Sequence, residues 1–80
     1  MQIRLFCFGQ VKEIVGQNLL DFDCSDGDTV QKLKIRILDV YTGLKDIPDF
    51  RFAVNQEYVS DDHVLAENDE VAIIPPVSGG

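Results

Sequence analysis

One stretch of this chain has both the length and the period of a helix that can cross a sheet. From Thr29 to Tyr41 the apolar positions Val30, Leu33, Ile37, Val40 and Tyr41 recur at helical spacing. Asp28 precedes them as an N-cap whose carboxylate can accept the orphan N–H groups of the first turn. Gln31 follows three residues later, as in a capping box. Gly43 stands where a left-handed residue would end the helix. All other apolar runs are short and strand-like. In eighty residues this leaves one main helix, about 29–41, and one small sheet in a single domain spanning 1–80.

The strands follow from composition and alternation. Residues 3–8, Ile3-Arg4-Leu5-Phe6-Cys7-Phe8, are aromatic and branched and end at Gly9. Residues 10–15 fit a short helical turn with Val11, Ile14 and Val15 on one side, closed by Gly16. Residues 18–23 alternate Leu20 and Phe22 with Asp21 and Asp23, a second strand. Thr42 to Asp49 reads as a loop punctuated by Pro48. Residues 51–55 form a third strand, and Asn55-Gln56 a tight turn into a short strand at 57–59. After a polar connection, Asn68-Asp69 turns into a last strand at 70–74, which Pro75-Pro76 cannot continue because proline lacks an N–H. Strand, strand, helix, strand, strand, strand is the outline of an α+β ubiquitin-like β-grasp: a mixed five-stranded sheet, one main helix and a flexible extended tail at 75–80. Strand 3–8 is apolar on both faces, with Ile3, Leu5 and Cys7 on one and Phe6 and Phe8 on the other, and strand 70–74 is likewise. One helix covers one face, so part of the second must be covered by loops or by another protein.

Seven basic against fourteen acidic residues give a net charge of −7. That argues against nucleic acid, whose phosphates are met by Lys and Arg. It fits solubility and a partner with a basic surface. No apolar run approaches the roughly 20 residues of a membrane helix. Met1-Gln2-Ile3-Arg4 lacks the pattern of a signal peptide, so a reducing cytoplasmic location is expected. In a hairpin of residues 3–8 and 18–23, Cys7 faces about residue 19. Cys24 then lies about 17 Å along the strand, beyond disulfide reach. Both cysteines read as small hydrophobes.

The catalytic inventory is poor. His63 is the one histidine, in a polar loop, where an exposed or capping role is ordinary. No Cys/His zinc spacing and no Gly-rich phosphate loop occur. The run Asp21 to Asp28 fails as a calcium loop, with Asp26 where glycine is needed and Lys32 where glutamate is needed. Asp61-Asp62 reads as a solvated turn. No metal site is expected.

The chemistry points to the end of the chain, Pro75-Pro76-Val77-Ser78-Gly79-Gly80. Gly- and Ser-rich ends are commonly just frayed. Here the prolines stiffen the chain as it leaves the last strand, and two glycines offer no side chain to obstruct a narrow channel. The reactive atom would be the carboxylate carbon of Gly80. A carboxylate becomes an acyl donor once ATP adenylylates it, and a sulfur nucleophile then yields a thiocarboxylate.

Three blocks carry a family resemblance: Leu5 to Gly16, Ala53 to Val59, and Asp69-Glu70-Val71-Ala72-Ile73-Ile74-Pro75-Pro76-Val77-Ser78-Gly79-Gly80. Across nearly the whole chain the sequence resembles the sulfur-carrying small subunits of molybdopterin synthase, the MoaD family. Lys12 and Asn68 depart mildly from it, and residues 17–49 match in pattern only. The resemblance implies a carrier that is a non-catalytic subunit of a sulfurtransferase, with no active site of its own. A ubiquitin-activating-like adenylyltransferase, consuming ATP, would convert Gly80 to a glycyl adenylate. Sulfur from a donor protein would make it 1-thioglycine. The carrier would then dock on the large catalytic subunit, in a heterotetramer, and deliver sulfur to cyclic pyranopterin monophosphate to build the molybdopterin dithiolene. No cofactor is held permanently. Gly79, Ser78, Val77, Pro76 and Pro75 would thread into the partner, while Phe8, Tyr58 and Ile74 would grip it as aromatic and aliphatic anchors.

Two other readings remain open at this point. A carrier for thiazole synthesis or tRNA thiolation would use the same tail chemistry. A ubiquitin-like modifier would instead form isopeptide bonds to lysines. The species formed at Gly80 separates carrier from modifier.

Overall fold

The computed structural model describes residues 1–76. Its elements, in chain order, are β1 (Gln2–Cys7), α1 (Gly9–Val15), β2 (Leu19–Asp23), α2 (Val30–Val40), a 3₁₀ turn (Thr42–Asp46), β3 (Arg51–Val54), β4 (Glu57–Tyr58) and β5 (Glu70–Ile74). The sheet order is β2-β1-β5-β3-β4. β1 and β5 pair in parallel at the centre, and every other pairing is antiparallel. This is the mixed five-stranded β-grasp expected from the order of elements.

Alternation along the strands splits the sheet into two faces. Ile3, Leu5 and Cys7 of β1, Phe52 and Val54 of β3, and Val71 and Ile73 of β5 point inward and are buried. Onto them α2 lays Val30, Leu33 and Ile37, all fully buried, with Val11, Leu44, Ile47, Phe50 and Leu65 closing the edges. Val40, expected on the same stripe, is instead 60% exposed. It lies at the last turn, beyond the sheet that Leu33 and Ile37 cover.

The helix start corrects the expected cap. Thr29, not Asp28, is the N-cap: its Oγ1 accepts the N–H of Lys32 at 3.3 Å. Gln31 therefore completes no capping box. The N–H groups of Val30 and Gln31 donate to the carbonyls of His63 and Asp61, at 3.0 and 2.9 Å. The polar connection after β4 thus caps a helix thirty residues earlier in the chain, satisfying donors that a helix start leaves unpaired. Asp28 serves the preceding turn, accepting the N–H of Ser25 at 2.9 Å and lying 3.4 Å from the Arg36 guanidinium.

The helix end differs too. Tyr41 is the C-cap, at φ −114°, and Gly43 lies within the 3₁₀ turn rather than in a left-handed cap. Gly43 is needed for space: a Cβ there would come within 3.0 Å of Ile14, the residue through which α1 approaches the turn. The segment read as a loop therefore winds for one turn before reaching β3. By contrast the tight turn that the sequence predicts at Asn55-Gln56 is present between β3 and β4, and both residues are left-handed, at φ 52° and 72°.

Cys7 and Cys24 are free and buried, as expected of small hydrophobes. The Cys7 N–H donates to Asn18 and the Cys24 N–H to Met1, at opposite ends of the β1–β2 pair. Burial pushes both thiols above their ordinary range. Since the thiolate is the reactive form, iodoacetamide at neutral pH should label the native protein at least an order of magnitude more slowly than the protein in guanidinium. Equal labelling rates would place a cysteine at the surface.

Candidate docking face and tail exit

The outward face of the sheet carries the feature that stands out. One register row crosses all five strands: Leu19 of β2 pairs with Phe6 of β1, Phe6 with Ala72 of β5, Ala72 with Ala53 of β3, and Ala53 with Tyr58 of β4. Every position in it is apolar or aromatic. Leu19 is 44% exposed and Tyr58 66%, Phe6 and Ala72 are half-buried, and Ala53 is covered by its neighbours at 5% exposure. The adjoining row is charged, Asp21 beside Arg4 beside Glu70. An apolar strip with a charged border is how the centre and rim of a protein interface are arranged.

The residues expected to grip a partner fall on this face. Phe8 continues β1 in extended conformation, at φ −129°, keeps the outward parity of Phe6 and is 50% exposed. With Phe6, Ala72, Gln56 and Glu70 it lines a groove of about 180 Å³. Tyr58 and half-buried Ile74 line a neighbouring groove of about 300 Å³ together with Asp49, Arg51, Pro75 and Pro76. The structure therefore brings Tyr58, Ile74, Pro75 and Pro76 into one hollow and sets Phe8 beside the next. The Arg51 guanidinium lies 6.0 Å from the centre of the Tyr58 ring, at cation–π distance, and opposite Ile74 across the strands.

Two local devices hold this face. Gly9 takes φ +53°, turning the chain out of β1, and a Cβ on it would stand 3.4 Å from the ring of Pro75. The start of α1 thus lies against the point where the chain leaves β5. At the other end, the Asn55 amide donates to Asp69 at 3.0 Å and its carbonyl oxygen accepts the N–H of Glu70 at 3.1 Å. Asp69 also accepts the N–H of Ala66 at 2.8 Å. This clasp ties the β3–β4 turn, and with it Tyr58, to the start of β5.

Val77, Ser78, Gly79 and Gly80, the rest of the predicted tail, lie outside the described residues. Leu19, Ala72 and Ala53 belong to the apolar row but were not singled out from the sequence. Their outward parity is readable there, but their alignment depends on strand register. Among the described residues no three His, Cys, Asp or Glu side chains gather to hold a metal ion. His63 sits alone in its loop, and its contribution is the carbonyl that caps α2. No helix among the described residues is long and apolar enough to cross a membrane.

Comparison with known proteins places these features in context. Residues 6–80 match the model of the ThiS family. The chain is 40% identical to the molybdopterin synthase sulfur carrier subunit of Chlamydomonas reinhardtii, covering 100% of both chains. It is 37% identical to the carrier subunit of the same name from Escherichia coli, covering 98% of this chain and 99% of that one. In structure it is similar to small archaeal modifier protein 1 from Haloferax volcanii, with a TM-score of 0.82 at 20% identity over 95% and 98% of the two chains. It also resembles a chain in the complex of subunits 1 and 2 of the molybdopterin-converting factor from Helicobacter pylori, with a TM-score of 0.71 at 22% identity over both whole chains.

Proposed function

This chain belongs to the ThiS family, and from that premise we propose that it is the sulfur carrier subunit of a molybdopterin synthase. The observation that carries the reading is the apolar row across the outward face, which runs beside the point where Pro75 and Pro76 leave the sheet. A carrier needs a surface that docks and a chain end that reaches into its partner, and both would lie on one side of this molecule.

The chemistry belongs to Gly80. ATP converts its carboxylate to an acyl adenylate and pyrophosphate is released. Sulfur at the sulfide level, released by the donor as HS⁻, attacks the carbonyl carbon; AMP departs and a proton is lost, leaving –C(O)S⁻. In the synthase the sulfur passes to cyclic pyranopterin monophosphate and water restores the carboxylate. A dithiolene holds two sulfurs and each carrier end delivers one, so two deliveries make one product. The catalytic groups are the partner's, and this chain contributes position. Its outward face sets where the tail begins, and Gly9 against Pro75 and the Asn55–Asp69 clasp fix that face. The activating adenylyltransferase and the sulfur donor would meet the same tail in turn.

The test is reconstitution. Thiocarboxylated chain plus a molybdopterin synthase large subunit should convert the cyclic precursor to molybdopterin. Phe8→Ala and Tyr58→Ala should weaken the complex about tenfold or more while leaving the melting temperature within a few degrees, because truncation of buried interface anchors costs above about 1–2 kcal/mol. Failure of conversion, with activity in a thiazole-forming system instead, would overturn the pathway. Unchanged affinity in both variants would overturn the docking face.

A further inference from the structure

We propose that the solvent face of α2, centred on Ile35, is a second docking surface, and that its partner is a protein segment presenting an apolar side chain among carboxylates. Four of the seven basic residues fall between Lys32 and Lys45, against one acid, Asp39. That stretch is therefore net +3, while the rest of the chain, with three basic and thirteen acidic residues, is −10. Around the outer side of α2, Lys32, Arg36 and Lys45 stand with Asp28 and Asp39, a local net charge of +1 on a chain that is −7 overall.

The geometry gives that cluster a centre. α2 turns Val30, Leu33 and Ile37 to the sheet, so Ile35 points the other way and is 60% exposed. A shallow hollow lies on each side of it. One, of about 310 Å³, is bounded by Ser25, Asp28, Lys32 and Arg36. The other, of about 380 Å³, is bounded by Arg36, Leu38, Asp39 and Lys45. Arg36 stands between the two, with its guanidinium 3.4 Å from Asp28 and 5.2 Å from the centre of the Phe22 ring. A lone exposed isoleucine is unremarkable on a protein surface. One set between two hollows and bordered by Lys32, Arg36 and Lys45 matches an apolar anchor flanked by acidic residues, with charge complementarity steering the encounter.

Protein is favoured over nucleic acid for two reasons. The centre of the face is Ile35 with half-buried Leu38, and Asp39 sits among the cations. The −10 of the remaining chain also repels an extended polyanion. The surface lies on the opposite side of the sheet from the apolar row, so both can be occupied at once, and the proposal stands independently of the sulfur-carrier reading.

The experiment is a titration of the isotopically labelled full chain, followed by amide NMR shifts, with a synthetic peptide in which two leucines are flanked on both sides by glutamates. Saturable shifts confined to α2 and the following 3₁₀ turn are expected. Ile35→Ser should weaken binding about tenfold, the loss of one buried aliphatic side chain. The double change Lys32→Glu with Lys45→Glu should weaken it further and flatten its dependence on salt. It carries the test if the Ile35→Ser protein does not fold. Phe8→Ala should have no effect. Absence of saturable shifts, shifts on the outward sheet face, or undiminished binding by the variants would overturn the proposal. So would equal binding of a peptide with serines for leucines or of a single-stranded RNA.

Discussion

Replacing Gly79 with valine is expected to leave the fold intact and to reduce adenylylation or sulfur transfer by roughly 100-fold. Among the described residues the core runs from Ile3 to Ile73, and glycine has no side chain to contribute to it. Stability should therefore change by less than about 0.5 kcal/mol, as for surface changes generally. Valine adds bulk and forbids the conformations that glycine alone enters freely. A carbonyl misplaced by about 1 Å at a reacting centre can lose about two orders of magnitude in rate. Deleting Gly80 is expected to be more severe, since it removes the reacting group and shortens the reach. Circular dichroism melting, ATP–pyrophosphate exchange and the intact mass after sulfur transfer measure the three quantities. A folded Gly79→Val or Gly80-deleted chain that accepts AMP and sulfur at the normal rate would dispose of the tail mechanism.

The second large effect is on folding. Leu33 and Ile37 are fully buried between α2 and the sheet. Truncating either to alanine removes apolar contact and leaves a cavity, costing about 2–5 kcal/mol. A small domain has a total margin of about 5–15 kcal/mol, and this one belongs near the lower end. A fall in melting temperature of at least about 8 °C is expected for each. Val40→Ala is the control on the same helix. With 60% of its surface exposed, it should shift stability by about 0.5 kcal/mol or less. Equal damage from Val40→Ala and Leu33→Ala would mean that the helix buries a different face.

What could be read from the sequence was what depends on local chemistry. The last strand is found at Glu70–Ile74 because its short run of apolar residues follows the Asn68-Asp69 turn and Pro75 stops the ladder. The Asn55-Gln56 turn is found because asparagine tolerates the left-handed region that a two-residue hairpin demands. What could not be read depends on distant partners. Asp28 and Thr29 are both competent caps by type. The contacts of residues 61–65 with 28–31 accompany the choice of Thr29, and they join segments thirty residues apart. Gly43 looks like a helix terminator by position, yet what it must accommodate is the side chain of Ile14. The shared face of Phe6 and Phe8 is legible from alternation along residues 3–8, whereas Tyr58 and Ile74 are picked out by residue type alone. That Leu19, Ala72 and Ala53 join Phe6 and Tyr58 in one row is not legible, since it requires the register of four strand pairs at once.

The parallel pairing of β1 with β5 also bears on how the chain is made. Among the described residues β5 is the only strand that touches both β1 and β3. Without it the sheet falls into two separate ribbons, β2 with β1 and β3 with β4, and a lone two-stranded ribbon is marginal in water. A nascent chain on the ribosome therefore holds no stable sheet until the residues up to Ile74 have emerged. Translation arrested before Glu70 is expected to leave an unfolded fragment, exposed to proteases, rather than a partly formed sheet. Only chains that have reached their last strand, a few residues short of Gly80, acquire the docking face.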